Sequence, residues 1–474
     1  MIGKPQYSLF SFPLPIFTLR LSAIKGIQLL LIVLTISNYD PVAIATRGTD
    51  VIDFFNVFWR YRVGDIFCFF DFAIIALLVL MAWQIGRAQR LKLSRFDKLA
   101  VGLTGLVSVS IIVKALSQGE ADTLANFLFE IRNYFYLLAI YFVTSRLNWT
   151  EALYQKMMKF VIALTVMIIP LSIFQMLITP EGGIISKYGR VAMLPDIDDF
   201  LLLMFTMLWL VVLCVEQFPT KLWQRVTVVG SIAYCLIVIF TGTSKGPLII
   251  FPLYFGYIAW YYHLYRKRWV IVTGVILGLS VVLLAGLTLQ SSGAVDQSSP
   301  LYVYTTFNAE DTSVLTRGIE LLNFGNNMVQ RNAFLQGIGI GNKWYEYVPQ
   351  PPDGGAWPKI EQGTSWHFGM HVLLLRLILN FGLVGLGVFA YLFLTCFKTT
   401  LRYLRRSEWQ PLTNAFVQAS WLVISYQVIM NSLGGPKTNL ITGFLLGTIS
   451  GLLDATRCRQ SPSGSSDLQQ EPLS

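Results

Sequence analysis

Long apolar runs separated by short polar connections set the pattern of this chain. Each run is about 20 residues, which as a helix spans a bilayer core while pairing its own backbone groups. About 12 such helices are expected, over residues 18–37, 66–84, 99–117, 124–144, 157–178, 198–216, 223–241, 246–264, 269–289, 371–396, 414–433 and 438–454. The expected fold is all-α: a polytopic integral membrane helical bundle with one long extracytoplasmic loop. Residues 1–289 hold the first nine spans, 290–370 the loop, 371–454 the last three spans, and 455–474 a disordered, Ser/Gln/Pro-rich cytoplasmic tail.

Composition agrees with the pattern, since only 13% of the residues are charged and 54% are hydrophobic. A soluble chain carries roughly 25% charged residues. Lys4, Arg20 and Lys25 precede the apolar stretch Gly26 to Ser37 as in a signal peptide, but no small-residue cleavage site follows, so an uncleaved first span is expected.

The net charge of +10 would suggest nucleic acid if it formed a patch, but it is dispersed between the runs. Arg87, Arg90, Lys92, Arg95 and Lys98 fill one connection. Every second connection after it is basic: Arg146 with Lys156, Lys221 with Arg225, Arg266 to Arg268, and Lys398 with Arg402, Arg405 and Arg406. The positive-inside rule places these in the cytoplasm, together with both termini. Residues 290–370 then lie outside; as a long loop with hydrophobic stretches such as Gly318 to Phe324, they are expected to fold over the bundle and carry function.

The five cysteines, Cys68, Cys214, Cys235, Cys396 and Cys458, form no CxxC pair, and His263, His367 and His371 are the only histidines. That set supports no disulfide framework and no metal site, and no cofactor is expected.

Arg190, Lys245, Arg317 and His371 fall on the extracytoplasmic side in four separate segments. Fixed cations at a membrane interface suit a phosphate or diphosphate ligand, because ionised donors make stronger hydrogen bonds and arginine engages two oxygens at once. The plainer readings stand beside this: basic residues at span ends snorkel to the interface, a loop arginine makes an exposed ion pair, and a lone histidine is a structural residue. Glu130 and Arg132 are costly in lipid and are expected to face the bundle interior, as an ion pair or as ligand contacts.

The segment His371-Val-Leu-Leu-Leu-Arg-Leu-Ile-Leu-Asn-Phe-Gly382-Leu-Val-Gly385 resembles the signature of the bacterial O-antigen ligase and O-antigen polymerase family, a histidine followed by Gly-x-x-Gly at this spacing. Thr243-Ser-Lys-Gly246 is similar to the family's Ser-Arg-Gly turn. Arg317 with Phe334-Leu-Gln-Gly-Ile-Gly-Ile-Gly341 resembles its loop arginine and glycine-rich stretch, and Gly189-Arg190 before Pro195-Asp196 resembles a further family loop. The resemblance runs from about residue 185 to 390; Lys245 stands where the family has arginine, and Val372 where it has asparagine.

The resemblance implies a metal-independent glycosyltransferase of the bacterial inner membrane that moves a glycan from undecaprenyl diphosphate to an acceptor hydroxyl on a glycan or lipid, as in O-antigen or exopolysaccharide synthesis. It implies His371 as general base. Lys245 and Arg317 would stabilise the departing diphosphate, and Arg190 would contact phosphate or sugar. Two other readings compete. A metal-dependent transferase would use Asp40, Asp50 and Asp53, which form no close pair. A transporter, for example for bicarbonate, would use Asp65, Asp71, Lys114 and Glu130, but transporters usually show internal repeats and this sequence has none.

Overall fold

The computed structural model describes residues 23–36, 62–63, 67–68, 71–72, 75–76, 79, 96–116, 123–147, 149–178, 184–185, 191–192, 197–217, 221–241, 246–262, 312–340, 344–345, 347, 365–366, 373–406, 411–430 and 436–460. They form α1 (Ala23–Ile36), α2 (Asp97–Leu116), α3 (Thr123–Ser145), α4 (Glu151–Ile178), α5 (Ile197–Glu216), α6 (Leu222–Thr241), α7 (Gly246–Tyr261), α8 (Thr312–Gln330), α9 (Leu373–Arg406), α10 (Pro411–Met430) and α11 (Pro436–Gln460). The fold is all-α, with three two-residue antiparallel pairs in the connections: β1 (Arg62–Val63) with β2 (Phe67–Cys68), β3 (Ile184–Ile185) with β4 (Val191–Ala192), and β5 (Trp344–Tyr345) with β6 (Ser365–Trp366).

All the described helices except α8 coincide with expected apolar segments; residues 269–289 lie outside the described residues, and 66–84 is described only in part. α8 is the helix described within residues 290–370. α11 runs to Gln460, so the expected tail boundary after Asp454 is too early: Ala455 to Gln460 contains no helix breaker, and the first proline is Pro462. α10 and α11 each open on a proline, whose missing N–H costs nothing in the first helical turn. α4 is capped by Thr150, whose Oγ1 accepts the Leu153 N–H at 3.3 Å.

Among the described residues, one helical segment is long and apolar enough to cross a membrane, Leu374–Leu404, with 31 residues. Shorter apolar stretches lie at Ala100–Val109, Tyr134–Ser145 and Leu201–Glu216.

α5 forms the centre, with every residue from Leu201 to Leu210 buried, and packs mainly on α10. Phe416 meets Phe205 at 5.3 Å and Tyr154 at 5.4 Å, both edge to face. The most extensive pairing is α3 with α11. Gly443, Gly447 and Gly451 recur every fourth residue there, and a Cβ on any of them would collide with α3 or Trp149. This small-xxx-small spacing brings two backbones together, the packing mode by which helices associate in lipid.

Two polar networks tie helix ends together. Arg146 at the end of α3 donates twice to Asp97 at the start of α2, at 3.1 and 2.9 Å. Tyr141 adds a 3.0 Å bond to the same carboxylate. Arg146, its side chain 8% exposed against Asp97, is therefore a structural residue as well as part of the basic pattern. In the second network Glu216, closing α5, accepts from Tyr262 after α7 and from Asn414 near the start of α10, while Gln418 donates to Tyr262 at 2.7 Å. Every one of these ends adjoins a basic connection, so the ends that charge grouped together in the sequence meet in space.

Candidate functional site at the broken helix

α9 is interrupted at Gly382 (φ 69°, ψ −173°). In an unbroken helix Leu383 N–H would donate to Leu379 C=O and Val384 N–H to Asn380 C=O. Here all four groups find partners in the glycine-rich segment that follows α8. Leu383 N donates to Phe334 O (2.8 Å) and Val384 N to Leu335 O (3.3 Å), while Leu379 O accepts from Ile338 N (2.6 Å) and Asn380 O from Gly339 N (3.2 Å). Two intrahelical bonds are thus exchanged for four between the segments, and none of the four groups is orphaned.

Glycine makes this approach possible. Gly337, Gly339 and Gly382 all have positive φ, which other residues rarely adopt. A Cβ on Gly337 would lie 2.6 Å from the Asn380 carbonyl carbon and from the Phe381 and Gly382 nitrogens. Phe324 and Met328 of α8, with Ala333, Ile338 and Leu379, form a small separate core over the joint. The two glycine motifs quoted from the sequence, one before the long loop's end and one in the span after it, are therefore halves of one structure.

α8 also holds the rest of the loop. Buried Asn327 donates to Tyr345 O at 2.7 Å and accepts Tyr345 N–H at 2.9 Å, completing a strand-like pair with β5. The Arg331 guanidinium sits 5.4 Å from the Tyr345 ring centre. β5 pairs with β6 at Trp344 with Trp366 and Tyr345 with Ser365, and β6 comes just before His367 and His371 in the chain.

His371, Lys245 and Arg190 lie outside the described residues, and Arg317 is placed by its backbone alone, in the first half of α8. The elements beside them group in two pairs. α8, which carries Arg317, packs on α9, which begins two residues after His371; β4, which follows Arg190, packs on α6, which ends shortly before Lys245. α4 and α10 start together, since Tyr154 donates to Leu412 O at 3.2 Å, and α5 and α7 end at the Glu216 network. The flanking ends of α4, α6, α7 and α9 are therefore at the opposite end of the bundle, about a 20-residue helix length or 30 Å away.

The sequence reading missed a set of buried polar side chains at this end: Glu320, Asn323 and Asn327 on α8, Arg376 and Asn380 on α9. Their three- and four-residue spacing was the available signal. The Asn380 Nδ2 is buried with no hydrogen-bond partner. Among the transporter candidates, Asp71 is buried and accepts from Tyr136 of α3, while Asp65 and the side chains of Lys114 and Glu130 lie outside the described residues, as do the Arg132 side chain and the metal-transferase candidates Asp40, Asp50 and Asp53.

No family model, curated protein or solved structure matches this chain.

Proposed function

We propose that the chain is a multi-pass membrane glycosyltransferase of the O-antigen ligase or polymerase type, transferring glycan from undecaprenyl diphosphate to an acceptor hydroxyl on the extracytoplasmic face of the inner membrane. The joint at Gly382 carries this reading. It links the two glycine segments of the resemblance and draws α8, with Arg317, onto the helix that His371 precedes. The abundance of exposed apolar residues, including Leu222, Val226, Leu253, Val384 and Tyr391, supports a lipid surroundings for the bundle.

In the proposed reaction the acceptor oxygen bonds to the anomeric carbon as the bond from that carbon to the diphosphate oxygen breaks, the electron pair leaving with the diphosphate. His371 takes the hydroxyl proton. Lys245 and Arg317 lower the energy of the charge that gathers on the leaving group, and Arg190 contacts phosphate or sugar. No metal takes part in the scheme.

The test uses purified protein with a lipid-linked donor and an acceptor. His371→Ala is expected to slow transfer by about 100- to 10,000-fold with donor binding intact, and His367→Ala to do much less. Full activity in both variants removes histidine from the mechanism; loss in His367→Ala alone moves the base to His367.

A transporter is the second reading, favoured by the broken helix α9, since discontinuous helices form ion sites in transporters. Bicarbonate uptake by proteoliposomes lacking any glycan donor would establish it.

A further inference from the structure

α8 buries polar and apolar side chains together, Ile319, Phe324 and Met328 beside three polar ones, and still leaves large apolar side chains uncovered on its other face. Glu320, Asn323 and Asn327 are buried, while Leu322 is 58% and Val329 62% exposed. The exposed apolar surface continues past the helix into Phe334 and Leu335, the latter 65% exposed. These two residues hydrogen-bond through their carbonyls to Leu383 and Val384 of α9, whose side chains are also exposed and apolar. Exposed apolar side chains thus recur from α8 onto the helix that is long enough to cross a membrane, with the polar Gln330, Asn332 and Gln336 exposed among them.

Depth follows from the helix geometry. Gly382 comes eight residues after Leu374, where the apolar segment starts. Eight residues correspond to about 12 Å of rise, inside a hydrocarbon layer about 30 Å thick. Residues 334–339, bonded to α9 at this level, lie below the membrane surface. Irregular backbone is tolerated there only when its polar groups are paired within protein, and the four exchanged bonds supply that pairing.

We propose that α8 and the segment after it are seated in the outer leaflet, with Leu322, Val329, Phe334 and Leu335 against acyl chains and the Glu320, Asn323 and Asn327 face turned to the protein. The occupant of this surface is bilayer phospholipid. The inference rests on the membrane reading given above and adds that the loop is a re-entrant element, not a water-exposed cover.

The test places the photo-crosslinker p-benzoylphenylalanine singly at Leu322, Val329 or, as a reference, Tyr391 in the middle of α9, in the full-length protein in its native membrane. After irradiation the intact mass is measured. Phospholipid adducts at all three positions are the expected result. Adducts at Tyr391 with none at Leu322 and Val329 overturn the seating of α8 and leave the membrane reading standing. Crosslinks from Leu322 or Val329 to a second copy of the chain, or to another segment of the same chain, also overturn it. Absence of adducts at Tyr391 removes the membrane reading and the seating with it.

Discussion

Gly337 and Gly382 face each other with no room for a methyl group on Gly337, where a Cβ would lie 2.6 Å from the Gly382 nitrogen. Both also hold positive φ, so alanine adds backbone strain of about 1–3 kcal/mol at each. Gly337→Ala and Gly382→Ala are each expected to lower the melting temperature of the purified protein and to reduce transfer. Gly387→Ala, on the same helix with nothing within 4 Å of its Cβ, is the control and should be neutral. Equal melting temperatures in all three would show that the joint does not constrain the fold.

Lys245→Ala and Arg317→Ala are expected to weaken use of the lipid diphosphate donor while the proteins still insert and purify normally. Lys245→Arg should retain more activity than Lys245→Ala, because the charge remains. Steady-state transfer rates over a range of donor concentrations decide this. Wild-type rates in both alanine variants would sink the phosphate assignment.

Basic connections alternate with mixed ones, and the Glu216 and Asp97 networks gather the basic ends. An impermeant reagent applied to intact cells should therefore reach single cysteines placed within 290–370 and not within 87–98. Labelling of the second set would reverse the orientation and separate His371 from extracytoplasmic acceptors.

Arg146 and Asp97 form a two-bond pair with both side chains buried. Removing one partner of such a pair leaves an uncompensated charge, at a cost of about 3–5 kcal/mol. Arg146→Met should lower thermal stability markedly, Arg146→Lys less, and Arg146→Met with Asp97→Asn should recover part of the loss. Fluorescence-detected size exclusion after heating measures the order. An Arg146→Met protein as stable as the wild type would show that the pair is replaceable by water.

Much of the helical framework was legible because an apolar run long enough for a span is a local property. α5 and α6 lie within a residue or two of the expected boundaries for that reason. The break at Gly382 was not legible: Leu-Asn-Phe-Gly-Leu-Val reads as continuous helix, and what interrupts it lies more than 40 residues earlier in the chain. Arg146 read as one more cytoplasmic charge because its partner Asp97 stands on another helix. The candidate site was legible as motifs and spacing, and the joint between Gly337 and Gly382 adds a contact no spacing could express.

The exchanged bonds at Gly382 give α9 two ways to satisfy the same four backbone groups. Glycine also adopts ordinary helical angles, so if the loop leaves, Leu383 and Val384 can rewind onto Leu379 and Asn380 and the span loses no hydrogen bond. The loop has no such recourse, since Ile338 and Gly339 would carry bare amides out of the joint at a cost of about 1–3 kcal/mol for each group left unpaired. Dependence therefore runs one way: the span is whole with or without its guest, and the guest is complete only when docked. Such a clasp opens without breaking the post to which it fastens.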